Sequence, residues 1–274
     1  TAVLLSGGVD SSVALRLLRE AGHDDITAFY LKIWLEDELA FLGSCPWDED
    51  GGYAREICET LGVPLEIVPM QREYWDRVVS YTIAELEAGR TPSPDIFCNQ
   101  LIKFGAFLDD VGASFDRVGT GHYARVEEAR VEEARVEGAS GVCRLLKGVD
   151  PVKDQTYFLS YLHQSQLSRC LFPVGGLPKD EVRELAARYE LPNRDRPDSQ
   201  GICFLGKIRF EEFVEHHLGT RVGEIRERET DRVLGGHRGF WFRTIGQRRG
   251  LGLSQGPWYV VEKDLERNIV YVSH

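Results

Sequence analysis

The sequence predicts an α/β protein: a parallel sheet with helical crossovers, followed by a small mixed domain. Three observations predict it. Short apolar runs alternate with stretches of helical period from Ala2 to Val118, the pattern of parallel strands joined by right-handed crossovers. Polar, glycine-containing turns stand after two of those strands, at Ser6–Ser12 and Gly119–His122, at the carboxyl ends where such sheets bind ligands. Past Gly206 the texture becomes β-like and glycine-punctuated.

The elements follow in order. Ala2–Leu5 is a short buried strand, because four apolar residues run straight into turn chemistry. From Ser11 a helix carries Val13, Ala14, Leu15, Leu17 and Leu18, with Asp10 or Ser11 as its cap. Ile26–Ile33 is a second strand, and Gly52–Leu61 a helix stopped by Gly62 and Pro64. Leu65–Val68 is a third strand, Tyr74–Glu87 a long helix and Phe115–Val118 a fourth strand. Val126–Gly138 is a charged local duplication, read as a solvated loop or hairpin extension without chemistry. Later, Phe210–His217 is a short helix, and Trp258–Val261 and Ile269–Val272 are strands joined by the turn Asp264–Asn268. The predicted domains are residues 1–205 and 206–274.

Composition narrows the class. The chain has 274 residues, 42% hydrophobic and 28% charged, which places it with soluble globular proteins and leaves room for a real core. No apolar stretch approaches a membrane span, and no signal peptide opens the chain. Because it begins at Thr1 directly on a strand, the natural N-terminus is expected upstream. Six cysteines without C-x-x-C spacing argue against a disulfide scaffold or a structural zinc. A net charge of −11 speaks against a general nucleic-acid-coating surface. Between Asp231 and Glu262, however, no carboxylate residue occurs, while Arg238, Arg243, Arg248 and Arg249 mix with Phe240, Trp241 and Phe242. Such a mixture suits a local RNA face or a solvated β surface.

The first loop carries the sharpest signal. A strand, a glycine turn and a helix N-terminus aim backbone N–H groups at one spot and so favour an anion. Ser6, Ser11 and Ser12 add hydroxyls around Gly7 and Gly8, and Asp10 stands where a metal or nucleotide could be held. The loop is neither G-x-x-x-x-G-K-[ST] nor G-x-G-x-x-G. Ser-Gly-Gly-Val-Asp-Ser-Ser resembles instead the pyrophosphate loop of the ATP pyrophosphatases, which split ATP into AMP and pyrophosphate. That likeness implies a Rossmann-like sheet of the adenine-nucleotide α-hydrolase type.

Two cysteines sharpen it. Cys98 follows the stiff run Thr91-Pro92-Ser93-Pro94-Asp95 and precedes a helix bearing Leu101, Ile102, Phe104, Phe107 and Leu108. A helix N-terminus there would favour the thiolate, with Asp95 as a neighbouring base. Cys203 lies between Gly201 and Gly206, which allow close approach and movement. Cys45, Cys58, Cys143 and Cys170 match no catalytic pattern and read as packing or surface thiols.

Together with Gly119–Arg125, Pro94–Asn99, Lys153-Asp154-Gln155 and Gly201–Phe204, these motifs closely resemble those of the tRNA-specific 2-thiouridylases (tRNA uridine 2-sulfurtransferases), in the family's order along nearly the whole chain. The resemblance implies ATP held by Leu5, Ser6, Gly7, Gly8, Val9, Asp10, Ser11, Ser12, Leu31 and Gly121, with Mg²⁺ reaching Asp10 through the nucleotide. It implies catalysis by Cys98, Cys203 and Asp95, with sulfur carried as a Cys203 persulfide. For the target base and the tRNA it implies Ser93, Pro94, Asp95, His122, Lys153, Asp154, Gln155, Arg248 and Arg249. The expected partners are a tRNA with a modifiable wobble uridine and a cysteine desulfurase or sulfur-relay donor. The protein is expected to be a monomer without membrane contact, cytoplasmic, or in an organelle matrix if a transit peptide preceded Thr1. Two departures stand out. The family's C-terminal β-barrel is absent from this chain, so weaker tRNA binding is expected, and Ser93 replaces the usual Asn. Alternatives stay open: another ATP pyrophosphatase such as an amide-forming or lysidine synthetase, a non-catalytic RNA-binding module, or a thiolase holding an iron–sulfur cluster on Cys98, Cys203 and Asp95.

Overall fold

Ala2, Val3 and Leu4 are fully or nearly buried, as the central strand of a sheet covered on both faces must be. In the computed structural model, which describes residues 1–33, 47–129, 142–198 and 209–274, the chain forms two compact units. In chain order the main elements are β1 (Ala2–Leu4), α1 (Val9–Glu20), β2 (Thr27–Lys32), α2 (Trp47–Leu61), β3 (Leu65–Pro69) and α3 (Ser80–Glu87). They continue with β4 (Val118–Gly119), β5 (Ala124–Ala129), β6 (Val142–Lys147), β7 (Cys170–Leu171), α4 (Lys179–Arg188) and α5 (Phe210–Leu218). The last four are β8 (Gly223–Glu227), β9 (Val233–His237), β10 (Tyr259–Asp264) and β11 (Ile269–Ser273).

The first unit comprises Thr1–Val78 and Asp95–Lys207. Its sheet has the order β3-β2-β1-β4-β7, with each of its neighbouring pairs parallel. The strand order reverses beside β1, so the turns after β1 and β4 open at the switch point where a ligand fits. Alternation sorts side chains to the two faces. Val3, Leu5, Ala28 and Tyr30 pack with Leu15 and Leu18 of α1 and with Ala54, Ile57 and Cys58 of α2. Phe29 points the other way, its ring edge-on to Phe107 at 5.0 Å and Phe115 at 5.3 Å. The second flank of α1 (Val9, Val13 and Ala14) meets Val182, Leu185 and Ala186 of α4. Helix α1 is thus clamped between the sheet and two helices, which fixes its N-terminus.

Several boundaries differ from the sequence reading. Helix α1 begins at Val9 with Gly8 as N-cap and no side-chain cap. The expected caps lie inside the helix: Asp10 is in its first turn, and the Ser11 and Ser12 hydroxyls donate back to the Gly8 carbonyl at 3.0 and 2.9 Å. The long helix starts earlier, at Gln71, and passes through a π-helical stretch at Trp75–Val79. The fourth strand shifts to Val118–Gly119, because Phe115 turns into the Phe29 cluster. Strands β5 and β6 pair antiparallel from Ala124↔Lys147 to Ala129↔Val142, consistent with a hairpin, while the rest of the duplication lies outside the described residues. Helix α4 is new, although Pro178 at its N-cap and the i, i+3, i+4 spacing of Val182, Leu185 and Ala186 announce it.

The second unit comprises Ile208–His274 and also Val79–Pro94, a segment that a linear boundary near residue 206 assigns to the first. Its mixed sheet runs β10-β11-β8-β9, with β11 parallel to β8 and the outer pairs antiparallel. Ile225, Phe240, Leu251, Trp258, Val260, Val270 and Val272 form its core. Leu265 of the turn between β10 and β11 packs close to Gly89, and the Lys263 ammonium donates to the Gly89 carbonyl at 2.8 Å. Among the described residues no helix is long and apolar enough to cross a membrane.

Candidate active site

The loop after β1 is held by backbone geometry and by side chains from far along the chain. Gly7 has φ +74°, and a Cβ there would lie 2.3 Å from the Asp50 carbonyl oxygen, so both the turn and the close approach of α2 need glycine. The Ser6 amide donates to the Ser11 hydroxyl at 3.2 Å. Asn193, 1% exposed, donates its amide to the Gly7 carbonyl at 2.8 Å and the Ser12 hydroxyl at 2.9 Å. Arg196 reaches the same Gly7 carbonyl at 3.1 Å and pairs with Asp50. With its carbonyls bound, the loop is rigid and leaves its amide side and the α1 N-terminus to meet an anion.

The loop has no lysine of its own; the fold supplies two. Lys179, 169 residues from Asp10, lies at the start of α4 and donates to Asp10 Oδ1 at 2.5 Å and Asp198 Oδ1 at 2.8 Å. Lys153 lies 3.6 Å from Asp10 Oδ2 and pairs closely with Asp198, which also binds Arg183. One buried carboxylate places both lysines. Asp150 accepts from the amides of Val152 (2.8 Å), Lys153 (2.7 Å) and Lys179 (2.7 Å). Asp10 has a further partner in Tyr123, whose hydroxyl donates to Oδ1 at 2.8 Å. Tyr123 is fixed in turn by Gln155, which accepts its amide at 3.0 Å.

The electrostatics follow from this packing. Burial opposes charge on Asp198, but its hydrogen bonds to Lys153 and Lys179 and their charges prevail, and hold its carboxyl well below the usual range. Burial likewise opposes charge on Lys153; the bond to Asp198 and the Asp10 charge outweigh it and raise the ammonium. Burial, then the Asp10 charge, pushes the Tyr123 phenol far up, so it remains a donor. The result is a partly buried set of two lysines and an arginine paired with two aspartates, beside a helix N-terminus. A polyphosphate in this space would compete with the two carboxylates for the lysines and would draw on the loop amides as well.

The structure places the remaining sequence candidates as follows. Gly121 packs on the loop itself: a Cβ would lie 2.6 Å from the Ser11 amide nitrogen and 2.7 Å from the Asp10 carbonyl carbon. His122 bonds the Thr120 hydroxyl through Nδ1 at 2.8 Å, and burial together with Lys103 keeps its pKa well down, so it is a neutral imidazole. Leu31 is the penultimate residue of β2, paired with Val68. Lys153 reaches Asp10 and Gln155 accepts the Tyr123 amide, while Asp154 accepts from the Thr156 amide and hydroxyl at 3.0 and 2.5 Å. Ser93 and Pro94 close a segment of the second unit, and Asp95 opens the next stretch of the first. Cys98, 1% exposed, is not at a helix N-terminus as expected. A helical run already begins at Pro94, and Cys98 starts its π-helical part, Cys98–Ala106. Gln166 donates to the Gln100 and Phe104 carbonyls there, at 3.0 and 2.6 Å, and Phe104 stands 6.4 Å from the His122 ring. Cys58 and Cys170 are packing thiols, pushed by burial to about 11 and about 12. Cys45 and Cys203 lie outside the described residues.

The arginine patch is smaller than the sequence implied. The fold brings Glu215 of α5 to Arg238 at 3.1 Å, and Arg243 is half-buried, its charge disfavoured by burial. Arg248 and Arg249 remain exposed. Arg248 lines a cavity of about 370 Å³ with Leu251, Leu253, Pro257 and Trp258. Sequence reasoning missed Lys179, Asp198, Asp150, Tyr123 and Asn193. Asp150-Pro151 is a turn signal that could have drawn attention.

Comparisons with known proteins match the chain along its length. A family model described as tRNA methyl transferase HUP domain matches residues 1–207, and one described as tRNA methyl transferase PRC-barrel domain matches 211–274. The tRNA-specific 2-thiouridylase MnmA of Parabacteroides distasonis is 50% identical over 273 residues, covering 100% of this chain and 73% of that protein. A tRNA-specific 2-thiouridylase MnmA of Porphyromonas gingivalis is 48% identical, covering 99% of this chain and 72% of its own length. Among solved structures, the U34-tRNA thiolase NcsA from Methanococcus maripaludis with its [4Fe-4S] cluster is a distant likeness, with 20% identity and a TM-score of 0.44 over 74% of this chain and 61% of that one.

The ion cluster predicts a pH signature. The native pKa of Asp198 lies below its unfolded value of about 3.9, so its contribution is present above pH ~4 and is lost as pH falls toward the native pKa. Asp198→Asn should therefore cost roughly 1–2 kcal/mol of unfolding free energy at neutral pH. Denaturant titrations of both proteins should converge progressively below pH ~4.

Proposed function

We infer the reaction from a fixed premise: the chain belongs to the tRNA-specific 2-thiouridylase family. It is a sulfurtransferase that converts a uridine of tRNA to 2-thiouridine. The observation that carries the chemistry is the rigid loop at the α1 N-terminus with Lys153 and Lys179 gathered on Asp10. The oxygen on carbon 2 of uracil is a poor leaving group. Attaching AMP to it makes it a good one, and this site is suited to hold the pyrophosphate that the attachment releases. Methyl transfer, the activity in the matched domains' description, needs no such site.

The target is the wobble uridine, whose single-stranded loop keeps the cost of flipping the base small. Its O2 attacks the α-phosphorus of ATP, the bond to the β-phosphate's bridging oxygen breaks, and pyrophosphate leaves toward the loop amides and the two lysines. Asp95 acts as base on the N3 proton. Asp10 would offer one carboxylate to a Mg²⁺ brought in with the nucleotide, and that ion would supply charge neutralisation of the phosphates. The terminal sulfur of a Cys203 persulfide then adds to carbon 2, and AMP departs with O2. The Cys98 thiolate attacks Sγ of Cys203, the persulfide S–S bond breaks, sulfur stays on carbon 2 as the thiocarbonyl, and a Cys98–Cys203 disulfide remains. A thiol reductant returns two electrons and restores both thiols. Arg248 and Arg249 are proposed phosphate contacts, and a cysteine desulfurase or relay protein the sulfur source, with the reaction in the cytoplasm.

With α-labelled ATP, tRNA and a sulfur donor, the products should be AMP and pyrophosphate, and nuclease digests of the tRNA should contain 2-thiouridine. Cys98→Ser should abolish 2-thiouridine release; loaded by the sulfur donor without tRNA it should keep a persulfide on Cys203, and with ATP and tRNA it should form AMP once and stall as a Cys203–tRNA disulfide adduct. Formation of ADP and phosphate, or persulfide only on Cys98, would overturn the scheme. Stoichiometric iron in anaerobically purified protein would replace the persulfide route with the cluster alternative.

A further inference from the structure

Two large aromatic side chains remain exposed close to Asp95. The 3₁₀ turn Thr156–Leu159 follows Gln155 directly. Tyr157 on that turn is 56% exposed, and Tyr161, four residues on, is 55% exposed. Each ring is propped from one side. Tyr157 packs on Phe158 with centroids 3.9 Å apart, and Tyr161 on Phe97 at 5.7 Å. The turn is tied to the start of the Cys98 helix by Asn99, 3% exposed, which donates to the Phe158 carbonyl at 3.3 Å. Burial, then the charges of Asp95 and Asp154, raise the Tyr157 phenol, which places that ring within the field of Asp95. The Thr156 hydroxyl, then its amide and the Lys147 charge, hold the Asp154 carboxyl down against burial, and Lys147, exposed, offers a cation for a neighbouring phosphate.

We propose that Tyr157 and Tyr161 form a stacking platform for the anticodon-loop bases that flank the target uridine. The inference rests on the tRNA reading above and adds the contact that holds the loop while one base is withdrawn. Flipping a uridine leaves its neighbours unstacked, and an aromatic face replaces the lost stacking whatever the base. Rings that each pack on a neighbouring aromatic and stay half exposed suit that task. A protein partner fits less well: two half-exposed tyrosines offer about 200 Å², against the ~800 Å² per side of a stable protein interface.

The test uses the whole 274-residue chain and an RNA anticodon stem–loop with 2-aminopurine on the 3′ side of the wobble uridine. Binding to the parent should quench the fluorophore. Tyr157→Ala and Tyr161→Ala should each weaken binding roughly tenfold and reduce the quench. Tyr157→Phe and Tyr161→Phe, which keep the ring, should stay within about twofold of the parent. Thermal midpoints should not move, because both side chains are half exposed. Alanine variants that bind and quench as the parent does would overturn the platform alone. Phenylalanine variants as weak as alanine would overturn stacking in favour of the hydroxyls. Loss of sulfur-donor binding with unchanged RNA binding would assign the patch to a protein. A parent chain that does not bind the stem–loop would overturn the tRNA reading together with the platform.

Discussion

The pairing of Asp10 with Lys179 is the interaction on which the site depends. It joins the first turn of α1 to the first residue of α4, 169 positions apart, and it draws in Lys153, Asp198, Arg183 and Tyr123. Both side chains are partly buried, and each meets an opposite charge there, so the two ends of this unit are held in register by charge as well as by the apolar face of α1.

That constraint explains why so much of the neighbourhood is polar yet well ordered. Asp150 commits both carboxylate oxygens to backbone amides of the two lysine-bearing segments. Asn193 and Arg196 bind the carbonyl side of the phosphate loop. Gln155 fixes Tyr123, and Tyr123 fixes Asp10. The outcome is a recess whose cations are preorganised by the carboxylates they pair with. Such an arrangement favours binding of a polyanion that can take over the carboxylates' role, and it leaves the carboxylates free to share a cation with that ligand.

Much of this was legible in the sequence, for identifiable reasons. The strand, glycine loop and helix at Ala2–Leu18 are a local pattern, so the order strand, turn, helix N-terminus is legible from spacing alone. The antiparallel pair at β10 and β11 followed from a local turn. What escaped is non-local. Nothing near Asp10 in sequence announces Lys179 or Asp198, because only the parallel sheet with its crossovers brings them together. Lys153 and Gln155 stand out as a motif in the sequence, but only the fold shows that the Lys153 ammonium reaches Asp10 and that Gln155 accepts the Tyr123 amide. Glu215 neutralises Arg238 across a distance that a run of residues without carboxylates cannot reveal. The helix start at Cys98 was misplaced because Pro94, read as a stiffener of extended chain, is instead the first residue of the helix, a position proline favours.

The central claim, that lysines delivered by the fold receive the pyrophosphate half of ATP, is tested most directly by calorimetry of three ligands on the parent and on Lys179→Met. Methionine keeps the length and apolar stem of the side chain while removing its charge. ATP with Mg²⁺ and pyrophosphate with Mg²⁺ should each bind roughly tenfold or more weakly to the variant, and AMP, which lacks the β- and γ-phosphates, should bind as it does to the parent. Equal weakening of all three would mean that Lys179 only supports the fold, and unchanged pyrophosphate affinity in a folded variant would contradict the account.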